Sequence, residues 1–131
     1  MTEAEISKQV KKRLDYYQYF GEILWYTLLQ SLKIQHHGHW IQGCKPGTPD
    51  YIAIVRNKQL TLSVIFIEVK SEKGQLRPEQ KAFAQLYKDV KNVHVFTVRD
   101  SEQINEIIET ISVRIPYKGA PGANSPFFPN D

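Results

Sequence analysis

The first twenty residues carry an apolar residue at every third or fourth position, which is the spacing of one side of a helix. We predict this helix over residues 3–19. Thr2 and Glu5 have the spacing of a capping box, in which each side chain binds the backbone N–H of the other residue. The apolar positions are Ile6, Val10, Leu14 and Tyr17.

Residues 22–33 fit two structures, because their apolar positions suit either a strand or a helix. We favour a strand, since Ile23, Trp25 and Thr27 alternate as the residues of one strand face do. Residues 36–43 have the composition of a turn followed by a short returning strand.

A β-hairpin is predicted in the middle of the chain. Residues 45–49 contain two prolines and a glycine and therefore predict a loop. Residues 50–56 predict one strand, and residues 60–70, which are rich in Val, Ile and Phe, predict a long second one. The two strands are antiparallel and joined by a turn at residues 57–59.

The segment from Pro78 to Ile111 predicts a helix, a strand and a second helix. Pro78 suits the first turn of a helix whose apolar face has Phe83, Leu86, Tyr87 and Val90. Residues 93–98 predict a buried strand, and the intervening helix favours a right-handed parallel crossover. Asp100 or Ser101 caps a last helix with Ile104, Ile107, Ile108 and Ile111 on one side.

The pattern as a whole predicts an α/β fold, in which helices flank a small mixed β-sheet. The chain has 131 residues, close to the commonest size of one domain, and we predict a single domain over residues 1–115. Residues 116–131 are rich in Pro, Gly, Ala, Asn and Ser, and we expect a mobile tail there.

Composition and charge exclude several classes of protein. With 41% hydrophobic and 24% charged residues, the chain is neither wholly disordered nor collagen-like. The lone Cys44 excludes an internal disulfide and a four-cysteine zinc site. The acidic N-terminus and apolar runs far shorter than a membrane span, such as residues 64–67, predict a soluble cytoplasmic protein that does not enter a membrane. The net charge of +3 is too small to identify a partner.

Charged residues at one end of the predicted hairpin indicate a site. Glu68 and Lys70 lie on the same face of an apolar strand, where they are costly unless they line a site. Asp50 begins the neighbouring strand and reaches the same end. Two carboxylates, with the Val69 carbonyl as an additional oxygen ligand, suit Mg²⁺ or Mn²⁺. Lys70 could lower the pKa of an attacking water or hold a phosphate oxygen.

Two residues outside the hairpin are candidates for the same site. Gln80 shares a side of the second predicted helix with Phe83 and Tyr87, which turns its amide toward the end of the sheet. Glu3 lies on the apolar side of the first helix, whereas Glu5 lies on the opposite side. Glu3 is therefore the better candidate for a third acid.

In their order and spacing these residues resemble the VRR-NUC branch of the PD-(D/E)xK nuclease superfamily. The resemblance covers about the first hundred residues and implies a restriction-endonuclease-like core. It also implies a metal-dependent active site with Asp50 and Glu68 at the metal, Glu3 acting through a water, Lys70 as the basic residue and Gln80 beside them. The motifs that carry it are the first helix with Glu3, Gly47-Thr48-Pro49-Asp50, Glu68-Val69-Lys70, Gly74 and Pro78-Glu79-Gln80.

Two positions depart from the pattern of that family. Arg77 stands where a serine often precedes the Pro-Glu-Gln motif. The strand before the Pro-Asp turn lacks the expected basic residue and has residues 27–30 in its place. Because that basic residue is missing, the resemblance does not show which residue of this chain positions the substrate.

Basic residues near the predicted site agree with a phosphodiester substrate. One cluster has Lys70, Lys73, Arg77 and Lys81, and a second patch on the first helix has Lys8, Lys11, Lys12 and Arg13. Because no base-reading motif is present, we expect recognition of the DNA backbone and of branched or end structures.

Two further groups of residues leave alternatives open. His36, His37 and His39 with Cys44 are metal-ligand types, but their spacing fits no standard zinc site, and exposed or phosphate-contacting histidines are the alternative. The aromatic residues between Tyr16 and Tyr26 either pack in the core or form a dimer interface.

The leading hypothesis is a Mg²⁺- or Mn²⁺-dependent DNA endonuclease. The resemblance implies a four-way-junction resolvase, acting as a homodimer in a bacterial cell or a phage-infected host. A flap or restriction-type endonuclease is the nearest alternative. A non-catalytic DNA-binding subunit that kept the fold is the alternative from another class of protein.

Overall fold

The computed structural model describes residues 1–20, 23–28 and 33–113. The predicted tail, residues 116–131, and the end of the predicted domain lie outside the described residues. The elements, in chain order, are α1 (Glu3–Phe20), β1 (Ile23–Thr27), β2 (Lys33–His36), β3 (His39–Gln42), β4 (Tyr51–Arg56), β5 (Leu62–Val69), α2 (Pro78–Leu86), β6 (Val93–Val98) and α3 (Glu102–Ile111).

The start of α1 is fixed by the predicted capping box. The Thr2 N–H donates to Glu5 Oε2 at 2.8 Å, and the Glu5 N–H donates to Thr2 Oγ1 at 3.2 Å. Two backbone donors that the first turn would leave unpaired are thereby satisfied.

Four strands form a mixed sheet in the order β1-β4-β5-β6. The first three are antiparallel neighbours, and β6 is parallel to β5, as the intervening helix predicted. Tyr51 is paired with Ile67, and Glu68 with Thr97. β2 and β3 form a separate two-stranded antiparallel sheet. This architecture confirms the predicted α/β fold with a small mixed sheet flanked by helices.

The core lies on the face of the sheet that α1 and α3 cover. Alternate residues of β4 and β5 point to it and are fully buried, as the period of two along a strand requires. The buried residues of this core are Ile6, Val10, Leu14, Tyr17, Ile23, Tyr51, Ala53, Val55, Ile65, Ile67, Val69, Val98, Ile104, Ile107 and Ile108.

The opposite face of the sheet is covered by α2 through aromatic contacts. The ring of Phe66 on β5 lies 4.9 Å from the ring of Phe83 and 5.7 Å from that of Tyr87, measured between centroids. These contacts pack the second half of α2 on β5.

Predictions for α2 and β6 need correction. Leu86 and Val90 are 70% and 47% exposed, so they do not belong to the apolar face of the helix. α2 ends at Leu86 because the chain turns back toward β6, through turns at residues 87–90 and an Asn92 with a φ of 62°. β6 is half-buried along most of its length, since it is an edge strand with a neighbour on one side.

The segment predicted as one strand over residues 22–33 also differs. β1 ends at Thr27, and a second strand, β2, begins at Lys33, with residues 29–32 outside the described part. The predicted turn and return strand at residues 36–43 are present as His37, Gly38 and β3.

Candidate active site

Asp50 lies where the loop after β3 enters β4. Its backbone carbonyl accepts from the Leu28 N–H at 2.8 Å, which extends the pairing of β1 with β4. Its Oδ2 atom accepts from the Val69 N–H at 2.8 Å. These two bonds fix the Asp50 carboxylate beside the end of β5.

Gly47 brings the loop before Asp50 against the first turn of α2. Its φ is +91°, and a Cβ at this position would lie 2.5 Å from the backbone oxygen of Glu79. Only glycine combines this backbone conformation with so close an approach. The loop that carries Asp50 and the helix that carries Gln80 are thereby held together.

Glu68 is buried at the end of β5, with 6% of its surface exposed. Its Oε1 atom accepts from Gln80 Nε2 at 2.7 Å, and Gln80 Oε1 accepts from the Arg77 N–H at 2.8 Å. The buried Gln80 amide therefore connects the start of α2 to the Glu68 carboxylate. It is hydrogen-bonded to Glu68 Oε1 and not to Oε2.

The two acids share an environment that disfavours negative charge. Burial raises the pKa of Glu68 to about 7, and the Asp50 carboxylate adds to the rise, while Lys70 opposes it. Burial also raises the pKa of Asp50, against the opposing hydrogen bond from the Val69 N–H. The positive charges of Lys70 and Arg77 therefore do not fully offset the effect of burial on the pKa values of the two acids.

Glu68 Oε2 is the feature that indicates a bound cation. It is buried and has no hydrogen-bond partner among the described residues. A buried carboxylate oxygen without a partner is costly, and a divalent cation satisfies it. The residues present therefore fit a hard cation held by the Asp50 and Glu68 carboxylates.

The Val69 carbonyl is oriented toward the same place. The N–H and C=O of one strand residue point to the same side, and the Val69 N–H points to Asp50. The pairing of β4 with β5 begins at Tyr51 and Ile67, so β4 has no strand residue opposite Val69.

Glu3 and Lys70 complete the charged surroundings. Glu3 is exposed at the start of α1 and raises the pKa of both Asp50 and Glu68, which locates it near them. Glu5 is instead bound in the capping box. In the part of the chain described, no three His, Cys, Asp or Glu side chains form a group that could hold a metal ion.

The predicted DNA-binding residues lie on different elements of the fold. Arg77 lowers the pKa of both Asp50 and Glu68, and its Nε is 3.5 Å from Glu79 Oε1. Lys73 is exposed on the turn that follows Lys70. Lys81 lines a groove of about 490 Å³ between α2 and β6. Lys8 and Lys12 are exposed on α1.

Three other contacts near the site could not be predicted from the sequence. Arg99 donates to carbonyl oxygens of the turn after Lys70. The Ser7 and Tyr51 hydroxyls are hydrogen-bonded to each other beside Asp50, and Lys11 Nζ lies 5.9 Å from the centre of the Tyr51 ring. Single contacts of this kind between distant segments leave no periodic pattern.

The histidine and aromatic alternatives are partly resolved. His37 and His39 are exposed, and the His36 side chain lies outside what the structure describes. Tyr17 is buried, and Tyr16 and Trp25 pack against the core. Tyr19 and Tyr26 are exposed, so the aromatic stretch supplies both core residues and surface rings.

A family model described as the VRR-NUC domain matches residues 2–100, which is 99 of the 131 residues. No curated protein and no solved structure matches the chain. Within the described ranges no helix has the length and apolar character needed to cross a membrane.

Proposed function

Because the chain belongs to the VRR-NUC domain family and is therefore a nuclease-type domain, we propose that it is a Mg²⁺- or Mn²⁺-dependent endonuclease that hydrolyses phosphodiester bonds in DNA. The observation that carries the metal dependence is the buried Glu68 Oε2 atom, which lacks a partner among the described residues. The Asp50 carboxylate lies close enough to contribute to the raised pKa of Glu68, so both acids favour a cation between them.

In this proposal each residue of the site has a separate role. Asp50, Glu68 and the Val69 carbonyl hold the cation, and Glu3 acts on it through a water. When bound, the cation supplies Lewis-acid stabilisation of the charge on the phosphate. The Gln80 amide orients Glu68 by occupying its Oε1 atom, which leaves Oε2 for the cation. The Lys70 ammonium holds a phosphate oxygen or activates the attacking water.

DNA binding rests on the exposed basic residues around these acids. Arg77 lies close enough to lower the pKa of both acids, and we assign Lys73, Lys81, Lys8 and Lys12, which are exposed, to the DNA backbone. Such contacts read shape rather than sequence. We therefore propose a structure-selective nuclease of the four-way-junction type, with a homodimer making the two cuts. A cytoplasmic location, in a bacterial cell or a phage-infected host, belongs to the same proposal.

One cleavage assay separates this proposal from its alternatives. Linear, flapped and four-way DNA are each incubated with the purified chain in Mg²⁺, in Mn²⁺ and in EDTA. We expect paired nicks in the four-way DNA with either metal and none in EDTA. Preferential cutting of flapped or linear DNA identifies the flap or restriction-type alternative.

Variants of the two acids test the site itself. Asp50→Ala and Glu68→Ala should abolish cleavage, while a gel-shift assay shows that DNA binding persists, because the basic surface is unchanged. Asp89→Ala, which removes an exposed acid from the turn after α2, is the matched control and should cleave normally. Undiminished cleavage by both site variants would refute the nuclease proposal at this site. A wild-type chain that binds DNA without cutting any of the three forms would favour the non-catalytic subunit.

A further inference from the structure

Arg99, directly after β6, holds the turn that follows Lys70. Its Nη1 atom donates to the carbonyl oxygens of Ser71 at 2.7 Å and Gly74 at 2.8 Å, and lies 3.2 Å from that of Glu72. Three backbone carbonyl groups therefore converge on one guanidinium, and bonds from a charged donor are stronger than those from a neutral one.

The turn itself, residues 71–74, is tight. The Gly74 N–H donates to the Ser71 carbonyl at 3.1 Å, and a Cβ at Gly74 would lie 2.9 Å from Ser71 Oγ. The carbonyl oxygens of Ser71, Glu72 and Gly74 point to one place, and their partial negative charges repel each other unless a positive charge lies among them. The Arg99 side chain supplies that cation.

The backbone of Arg99 is anchored to the core side of the molecule. Its N–H donates to Gln103 Oε1 at 2.6 Å, and the Gln103 N–H donates to Asp100 Oδ1 at 3.1 Å at the start of α3. α3 in turn buries Ile104 and Ile108 in the core. Arg99 thus ties an exposed turn to a rigid helix.

We infer that Arg99 is a positioning residue of the active site, which fixes the 71–74 turn and thereby the places of Lys70 and Lys73 at the substrate phosphate. The inference rests on the proposed nuclease function. Lys70 is held on one side by its own N–H, which donates to the Val98 carbonyl at 3.0 Å. On the other side it enters the turn that Arg99 holds. Arg99 touches neither substrate nor metal in this account and acts through the turn.

Limited proteolysis measures the turn without any use of nuclease activity. The Lys73–Gly74 bond is a trypsin site inside the turn, and cleavage there requires local opening. In Arg99→Met we expect this bond to be cut at least about tenfold faster than in the wild type, because charge-assisted hydrogen bonds are lost. Cleavage at the other lysines should be unchanged. Arg56→Met, which removes an exposed arginine at the far end of β4, is the matched control and should leave the Lys73 site protected.

Steady-state kinetics on the preferred DNA then tests the consequence for catalysis. Arg99→Met should lower kcat about tenfold with KM within about twofold, because the reacting groups are misplaced while the basic surface stays. Arg99→Lys should recover part of kcat, since it restores the charge without the fork of donors.

Three outcomes would overturn the inference. The first is unchanged protection of Lys73 in Arg99→Met, and the second is faster cutting at every lysine together, which would mean general destabilisation. The third is an opened turn with an unchanged kcat. Failure of the proposed function gives a different result. A wild-type chain that cuts no DNA has no kcat to compare, but the rate of tryptic cleavage after Lys73 still measures how readily the turn opens.

Discussion

Lys70 lies next to two acids suited to a cation, but its ammonium has no lone pair to offer a metal. We therefore predict that Lys70→Ala loses cleavage by about a hundredfold or more while it still binds Mn²⁺. Calorimetric titration with Mn²⁺ and a cleavage assay on the same sample check this. A variant that no longer binds Mn²⁺ would contradict the role proposed for Lys70.

The raised pKa of Glu68 makes the metal-free protein less stable at higher pH. The carboxyl group has a pKa of about 7 in the folded chain against an ordinary value of 4.5, so between these values the folded state binds more protons than the unfolded state. Stability is therefore lost as the pH rises through this window, by an amount on the order of 2–3 kcal/mol. The raised pKa of Asp50 acts in the same direction.

Urea unfolding in EDTA at about pH 5 and about pH 8 measures this effect. The wild type should be more stable at the lower pH. Glu68→Gln keeps the shape of the side chain without the titration and should show a much flatter dependence. An equally steep dependence in the glutamine variant would assign the effect to other groups.

Glu3 and Glu5 are matched acids at the start of α1 with different surroundings. Glu3 acts electrostatically on Asp50 and Glu68, whereas Glu5 closes the capping box with Thr2. Glu3→Gln should lower the cleavage rate about tenfold. Glu5→Gln should cleave normally, because glutamine also serves in a capping box. Rates in the reverse order would show that Glu3 has no part in the site.

At the scale of elements, the contact of the Gly47 loop with α2 determines how the acids meet. Gly47→Ala should cost about 2 kcal/mol or more and reduce cleavage, because the added methyl group meets the Glu79 backbone. Gly38→Ala is the control, since Gly38 also has a positive φ but no atom lies within 4 Å of the added Cβ. It should cost about 1 kcal/mol and leave cleavage unchanged. Equal costs for the two variants would mean that the close approach is unimportant.

Elements with one buried face were predicted well from the sequence. α1 and α3 each bury a single face, so the period of their apolar residues reports the structure. β4 and β5 were recognised by their β-branched and aromatic residues instead, since β5 packs one face on the core and Phe66 of the other face on α2. The far end of α2 was predicted wrongly because Leu86 and Val90 keep the spacing of the apolar face, although Leu86 is exposed and the helix ends there. β6 was predicted as buried because an apolar strand at a sheet edge has the same composition as one in the middle.

The positions of the candidate site residues could be predicted where they follow from the order and spacing of neighbouring elements along the chain. Asp50 directly precedes β4, Glu68 lies on the neighbouring β5, and Gln80 lies in the first turn of the next helix, so spacing alone brings them to one end of the sheet. Their catalytic roles stay predictions. Arg99 could not be found in this way, because the carbonyl groups that it binds belong to the backbone and are the same for every residue type.

The whole molecule is predicted to work as a homodimer, since two symmetric cuts in a junction need two sites. Light scattering at micromolar concentration should give twice the mass of the chain. Tyr26 is the most exposed side chain of the aromatic stretch for which exposure is described, at 54%. We predict that Tyr26→Glu raises the dimer dissociation constant at least about tenfold. Leu62→Glu, at a position that is 63% exposed at the other end of the sheet face, is the control and should not. A wild-type monomer that still makes paired nicks would contradict the homodimer prediction.

Apart from Glu3, the residues from Gly47 to Arg99 that form the site are one uninterrupted stretch of chain, while the β2–β3 sheet lies outside the four-stranded sheet. Insertions and deletions between β1 and β4 therefore leave the pairing of β4 with β5 intact. We expect natural selection to have treated the two parts differently, with slow change in the stretch that holds the acids and rapid drift in the hairpin. A hairpin of different length or composition would therefore leave the geometry of the acids as it is.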